Sequence, residues 1–307
     1  MQLMKRIVIL GVLFVALASR GGAELPSASL GIATYNLRYD LADDGPELVW
    51  SKRLPRIVSV VRKGGFDLVG FQEVTATMYP SLTNSLPEFV FGQWTAGRAG
   101  QCLAFRPETF ERLDGGQFSL SEAPDDLTRV SWGSAGVRIC RWALLRQRSN
   151  GVRLRVFNVH PDWKSGEARA KGMELVLERA KAAIAADERV IVLGDMNDME
   201  GASFPWSPSE PKYPTGMSIR LAKAVLNDSQ DISRSPHLGP VMTYQAFTTN
   251  ATHRLDYIFV SDGIGVLSHR TYDNRPGGYP SDHDLVSARI AFDRINVRLR
   301  DNVKRSD

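Results

Sequence analysis

Six short stretches of this chain combine carboxylates, amides and imidazoles in a way that suits hydrolysis of a charged ester. They are Asn36 and Arg38 in TYNLR, Gln72 and Glu73 in GFQEV, and Asn158, His160 and Asp162 in FNVHPD. Asp195 and Asn197 follow in VLGDMND, Asp256 in RLDYIF, and Asp282 and His283 in SDHDLV. Cleaving a phosphate ester requires neutralising phosphoryl charge, placing a water in line and stabilising a leaving oxygen. Carboxylates hold hard cations, and a positioned carboxylate or imidazole moves protons. Each stretch alone has a plainer explanation: Asn36 as a turn residue, His160 as a satisfied core histidine, Glu73 as a charge at a helix N-terminus. DMNDMEG is not a calcium loop, because Met199 stands fifth and the glycine comes one residue late.

The six stretches share a position: each sits at the end of an apolar run. The runs SLGIATYNLR, FDLVGFQEV, CLAFR, VRICRWALLR, RLRVFNVH, RVIVLGDMN, RLDYIFVS and DLVSARIAF carry the patterning of strands. Leu54, Ile57, Val58 and Val61 repeat at helical spacing, as do Met173, Leu177, Ala180 and Ile184 in a segment from about Gly166 to Ala186. Hairpin-like successions of strands favour mixed or antiparallel sheets, and so an α/β sandwich over a doubly wound parallel sheet. The Pro- and Ser-rich GASFPWSPSEPKYPTG, from Gly201 to Gly216, is expected to be a long surface loop. Strand ends on one rim of a sandwich converge, which makes the set a metal-and-phosphate site.

The chain has 307 residues, 43% of them hydrophobic and 9% aromatic, as a soluble protein with one large core or two small ones would. Lys5 and Arg6 precede the apolar run Ile7 to Ala18, with small residues beyond it and cleavage points after Ala18 or Ala23. That order is a secretory signal over residues 1–23, leaving 24–307 as a single domain with a basic tail from about residue 293. A run this short does not cross roughly 30 Å of hydrocarbon, so no stable membrane insertion is expected. The mature protein is expected to be exported, periplasmic or extracellular, and a monomer. Loss of Lys5, Arg6 and Arg20 takes the formal charge from +4 to about +1, so net charge gives no argument for nucleic acid. Arg294, Arg298, Arg300, Lys304 and Arg305 make the tail basic, as in a solvated terminus. Cys102 and Cys140 suit a disulfide or two buried thiols equally, and no Cys or His spacing suggests zinc.

The ordered series resembles the endonuclease/exonuclease/phosphatase superfamily, the DNase-I-like fold. That family carries an Asn at the first strand end, Gln-Glu, Asn-x-His, Gly-Asp-x-Asn, an Asp before an apolar strand, and Ser-Asp-His near the C-terminus. The match runs from about Leu30 to Phe292. Each motif is weak alone; six in order are specific. The resemblance implies a four-layer α/β sandwich, two mixed β-sheets packed face to face and flanked by helices. It implies Mg²⁺ or Mn²⁺ held by Glu73 with Asn36 and Asp282. Asp195 would position or deprotonate the attacking water, Asn197 and His160 would hold phosphoryl oxygens, and His283 would face the phosphate, oriented by Asp256. Asn158, Arg38 and Arg138 would contact substrate phosphate. Asp284, at a variable position, is expected to be a solvated strand-edge charge.

The chain also departs from the family. Relatives often carry a Glu supporting the mid-chain His, but no acid lies between Phe91 and Arg106, so His160 lacks that partner unless Asp162 serves. FGQWTAGRAGQ is short, and HPDW replaces the commoner His-Leu-Asp, with Pro161 stiffening the loop. The expected function is a secreted, metal-dependent phosphoesterase acting on phosphodiesters, nuclease-like, by in-line attack of an activated water, with nucleic acid among its partners. A phosphomonoesterase or a lipid or sphingomyelin-type phosphodiesterase is the alternative. A non-catalytic binding module on the same fold is the alternative of another class.

Overall fold

The computed structural model describes residues 29–92, 100–201, 204, 206–207, 209–273, 275 and 277–292. The signal segment and the basic tail lie outside the described residues. In chain order the elements are β1 (Leu30–Asn36), α1 (Trp50–Gly64), β2 (Leu68–Val74), α2 (Met78–Ser85), β3 (Val90–Phe91), β4 (Gly100–Phe105), β5 (Phe110–Ser119) and β6 (Ile139–Gln147). They continue with β7 (Arg153–Val159), α3 (Gly166–Ala185), β8 (Arg189–Asp195), α4 (Met217–Lys223), β9 (Asn227–Asp228), β10 (Asp256–Val260), β11 (Ile264–Tyr272) and β12 (Leu285–Phe292). Both helices expected from apolar spacing are present: the first motif falls in α1 and the second in α3.

The strands form two six-stranded sheets, in the orders β11-β12-β1-β2-β4-β3 and β5-β6-β7-β8-β10-β9. β1 with β2 and β7 with β8 pair in parallel, while the other pairings are antiparallel, so both sheets are mixed. Three apolar layers hold them. Leu30, Ile32, Leu68, Val156, Ile191, Leu193 and Ile258 fill the space between the sheets. Ala33, Tyr35, Val69 and Phe71 on the outer face of the first sheet pack with Ile57 and Val61 of α1 and Leu82 of α2. Phe157, Val190, Val192 and Phe259 on the outer face of the second pack with Met173, Val176 and Ala180 of α3 and Ile219 of α4. The result is the expected four-layer order, helix–sheet–sheet–helix.

The period of two along each strand decides where polar residues end up. On β1 the inward row is Leu30, Ile32, Thr34, Asn36; on β7 it is Leu154, Val156, Asn158, with His160 next; on β8 it is Ile191, Leu193, Asp195. Each row begins in the inter-sheet core and ends in a polar group at one edge of the sandwich. Pairing brings the ends level, with Asn36 opposite Gln72 and Asp195 opposite Asp256. Gly194 lets the ends of β7 and β8 close up: a Cβ there would meet the Val159 carbonyl oxygen at 1.9 Å.

One expectation about the chain is corrected, and one open alternative is resolved. The Gly201–Gly216 segment is not a plain surface loop, because Phe204, Ser207 and Tyr213 are buried. Ser207 accepts from buried Arg169 at 2.9 Å and donates to the Lys164 carbonyl at 2.7 Å, pinning the loop to the start of α3. Cys102 and Cys140 are free and buried in different sheets, and burial pushes the Cys102 thiol up to about 12. No described helix is long and apolar enough to cross a membrane.

Candidate active site

The edge of the sandwich where the inward rows end gathers Asn36, Glu73, His160, Asp195, Asn197, Asp256, Asp282 and His283. Asp195 stands at the centre. Its Oδ2 accepts from Asn36 Nδ2 at 2.8 Å and lies 3.5 Å from His160 Nε2 and 3.6 Å from His283 Nε2. Its Oδ1 accepts from the Asn197 backbone N–H at 2.9 Å. Burial raises the Asp195 carboxyl to about 7, with Asp256 adding to the rise while His283, Asn197 and Asn36 oppose it. A carboxylate so placed can accept a proton near neutrality.

His283 is held from behind. Its Nδ1 and Asp256 Oδ2 lie 2.7 Å apart, and Asp256 Oδ2 also accepts from Thr243 Oγ1 at 2.6 Å. Burial alone would lower the pKa of this imidazole, but the carboxylates of Asp256, Asp195 and Asp282 outweigh it and raise the pKa well above the ordinary value. The ring is therefore a buried cation suited to an anionic phosphoryl group. The Ser281 hydroxyl sets its approach, donating to the Asn36 carbonyl at 2.7 Å and accepting from the His283 N–H at 3.2 Å. Arg53, buried in α1, donates to the carbonyls of Leu37, Arg38 and Pro280, tying the exit of β1 to the approach to β12.

Glu73 breaks the alternation of β2. A register shift between Phe71 and Val74 and a left-handed φ of 58° turn it toward the site, where its Oε1 accepts from Asn36 Nδ2 at 3.2 Å and its Oε2 from the Tyr39 N–H at 3.0 Å. Arg38 and Asn197 also have left-handed backbones, at 55° and 48°. Three strained non-glycine residues at one site are bent to aim side chains, a cost that packing around them must offset. Asp282, buried, has its carboxyl raised by burial and by Glu73 against the opposing pull of His283 and Arg38. Two carboxylates that repel each other at the mouth of a buried site, both oxygen donors, fit a hard divalent cation. Asp195, Asp256 and His283 also offer ligand atoms within 4.8 Å of one another. In that trio His283 Nδ1 is already bonded to Asp256, whereas Glu73 and Asp282 offer oxygens alone. When bound there, a divalent ion supplies charge neutralisation of the phosphoryl group.

Several expected site residues are spent elsewhere. Asn36 uses both amide N–H bonds on carboxylates, so it orients Glu73 and Asp195, and its oxygen accepts from the Arg38 N–H at 2.9 Å, which leaves one lone pair for an ion. Asn158 is not a phosphate contact. Its Nδ2 donates to the carbonyls of Phe71 and Cys102, both at 3.0 Å, and its Oδ1 accepts from Gln72 Nε2 at 2.7 Å, which bolts the two sheets together. Arg38 forms a two-pronged pair with Asp44 at 2.9 and 3.0 Å while its Nε also lies 3.9 Å from Asp282 at the site, and Arg138 sits 3.4 Å from Asp162. Asp162 does not serve His160: its oxygens accept from the N–H groups of Ala135, Lys164 and Ser165 and from the Ser134 hydroxyl. His160 Nδ1 is buried with no partner among the described residues, and burial, then Arg138 and His283, hold its pKa well below the usual value. Asp284 is not solvated; it is 4% exposed and lies 3.6 Å from Arg275. Thr243 and Gln245, which the strand pattern did not single out, support the site: Gln245 Nε2 donates to the Ser281 carbonyl at 2.6 Å.

Asn158→Leu is expected to remove the side-chain bonds to the Phe71 and Cys102 carbonyls between the sheets, while the Gln72 amide keeps Thr34 and the Gly70 carbonyl, at a cost on the order of 3 kcal/mol. Denaturant unfolding should show that loss while turnover per folded molecule stays within a fewfold of wild type. Unchanged stability with a large fall in turnover would instead make Asn158 a substrate contact.

A family model described as "Endonuclease/Exonuclease/phosphatase family" matches residues 33–283, from β1 to His283. The chain belongs to the endonuclease/exonuclease/phosphatase family. An endonuclease/exonuclease/phosphatase structure from Bacteroides vulgatus is 24% identical with a TM-score of 0.77, the match covering 86% of this chain and 99% of that one. The mannosyl-6-phosphatase Bt3783 of Bacteroides thetaiotaomicron is 26% identical with a TM-score of 0.73, over 86% of this chain and 100% of its own. D. rerio TDP2, solved with a single-strand DNA product, shares the fold at 16% identity and a TM-score of 0.66, over 86% and 99%. A search of curated protein sequences finds no match. Endonuclease/exonuclease/phosphatase enzymes are phosphoester hydrolases that use divalent metals, and the buried acidic cluster described above is present in this member.

Proposed function

We propose that this protein is an exported, monomeric, divalent-metal-dependent phosphoesterase that acts on small phosphoesters, a sugar phosphate ahead of nucleic acid. The observation that carries the reading is the central carboxylate: Asp195, raised to about 7, faces two imidazoles, one of them kept cationic by Asp256. Asp195 takes the proton of a water attacking in line, while His283, His160 and Asn197 hold the phosphoryl oxygens. Mg²⁺ or Mn²⁺ suits the oxygen donors Glu73 and Asp282.

The ranking of substrates rests on charge. A polyanion is held by a track of cations that release its counterions. Among the described residues around this site Arg38 pairs with Asp44 and lies 3.9 Å from Asp282, Arg138 pairs with Asp162 and Arg254 with Asp228. The likeness to a mannosyl-6-phosphatase at 26% identity supports the same ranking. The nuclease reading of the motifs stands second. The test is phosphate release from mannose 6-phosphate and p-nitrophenyl phosphate beside hydrolysis of bis-p-nitrophenyl phosphate and nicking of supercoiled plasmid, with Mg²⁺ and with EDTA. Monoester turnover that EDTA abolishes is expected; plasmid nicking with inert monoesters would restore the nuclease reading.

A further inference from the structure

Tyr244 lies between α4 and β10, and the chain on either side of it is fastened to the catalytic pair. Thr243 before it donates to Asp256, and the Gln245 N–H after it donates to the Asp282 carbonyl at 2.9 Å. The Tyr244 N–H donates to the His253 carbonyl at 2.9 Å, its own carbonyl accepts from the Thr252 N–H at 2.9 Å, and its backbone bridges both His253 and His283. Its position is therefore as fixed as that of His283.

The ring stands 5.1 Å from the His283 ring, centroid to centroid, tilted by 56°. Its other flank carries Trp206 at 6.1 Å, edge to face, and Trp206 stacks on Phe204 at 5.3 Å. His253 closes the group at 5.2 Å from Trp206. These rings form an aromatic ridge that runs from the Gly201–Gly216 segment to the catalytic imidazole and ends in Tyr244, which is half-buried. Burial keeps the phenol oxygen protonated, with Asp282, Asp195 and Glu73 adding to the rise in its pKa against Arg38. Among the described residues no hydrogen bond reaches that oxygen. A phenol fixed beside a phosphate-facing imidazole has two surfaces to offer. Its hydroxyl can donate to a phosphoryl oxygen, and its face can pack on an apolar ring face of the alcohol being released.

We propose that Tyr244 is a further substrate-contacting residue, its hydroxyl donating to the phosphoryl group and its ring, backed by Trp206, forming the wall for a ring-shaped leaving alcohol such as a hexose. This rests on the phosphoesterase reading above and names the leaving-group subsite of that same site.

The test uses the purified protein with Mg²⁺ and the variants Tyr244→Phe and Tyr244→Leu, with thermal melting to confirm the fold. Tyr244→Phe is expected to lower kcat by about 10- to 100-fold on mannose 6-phosphate and methyl phosphate alike, with KM little changed. Tyr244→Leu should in addition raise KM about 3- to 10-fold for mannose 6-phosphate but not for methyl phosphate, which has no ring to lose. A Phe variant with wild-type kcat overturns the hydroxyl contact, and a Leu variant whose KM rises equally for both esters overturns the wall. If the wild type hydrolyses only bis-p-nitrophenyl phosphate, the monoester reading fails while the same two variants test Tyr244 on that diester. If no ester is hydrolysed, inorganic phosphate with Mg²⁺ is titrated by Trp fluorescence: a Kd weakened about tenfold or more in Tyr244→Phe supports the contact, and an unchanged Kd overturns it.

Discussion

His283→Ala lowers kcat on the order of 10³-fold while leaving the circular dichroism spectrum that of the folded protein. The expectation follows from what the ring is made to do. It is a buried cation facing Asp195, and alanine removes that charge where phosphoryl charge has to be stabilised. Asp256→Asn is the sharper companion, because it keeps the shape and removes the carboxylate that most raises the His283 pKa. Its expected cost is about 10²-fold, and it should also change the pH profile. In the wild type, kcat/KM rises with pH as the Asp195–His283 pair makes the carboxylate available near 7, and falls only when His283 loses its proton at more alkaline pH. With Asp256 neutral, His283 loses its proton earlier, so the alkaline limb moves to lower pH. Equal profiles in wild type and Asp256→Asn would mean that Asp256 does not tune His283.

The second large effect is on the divalent ion. EDTA should abolish turnover and Mg²⁺ or Mn²⁺ should restore it, and Glu73→Gln should raise the Mg²⁺ concentration for half-activity at least about tenfold. Gln keeps the volume of Glu73 and can still accept one of the N–H bonds from Asn36 and Tyr39, so the fold is expected to survive. A readout independent of catalysis comes from stability. Asp195 is raised from 3.8 to about 7, so in the cation-free protein its contribution is complete below its unfolded pKa and is lost as pH rises through about 7. Asp282 shifts in the same direction. Binding of a cation among these ionised carboxylates offsets the loss, so Mg²⁺ should raise Tm more at pH 8 than at pH 5. An equal rise at both values would place the ion away from this cluster.

Much of this was legible in the sequence because it is written in two periods. Alternation located the strands, helical spacing located α1 and α3, and the polar ends of the apolar runs marked Glu73, Asp195, Asp256 and His283. What a period does not encode is the partner of a polar side chain. Asn158 and His160 lie two residues apart on the same face, yet one bolts the sheets together and the other faces Asp195, and only the third dimension separates them. Arg38 and Arg138 are arginines at plausible spacings whose carboxylates, Asp44 at the end of a single 3-10 turn and Asp162 in irregular chain, belong to no apolar run. Tyr244 and Thr243 belong to a segment with no apolar run, so no strand end pointed to them. Asp284 follows two site residues and, by type alone, looks like a surface charge.

The bonds that complete the site cross from one sheet to the other: Asn36 to Asp195, and Asp256 to His283. Neither sheet carries a partial version of the chemistry. Glu73 and Asp282 come with the first, Asp195 and Asp256 with the second, and a slip of one residue in either would carry its polar row to the opposite face. Activity is therefore a gauge of the alignment between two halves of the molecule. In a denaturant titration it should disappear in one step with the inter-sheet core, leaving no weakly active intermediate to be selected, inhibited or inherited on its own.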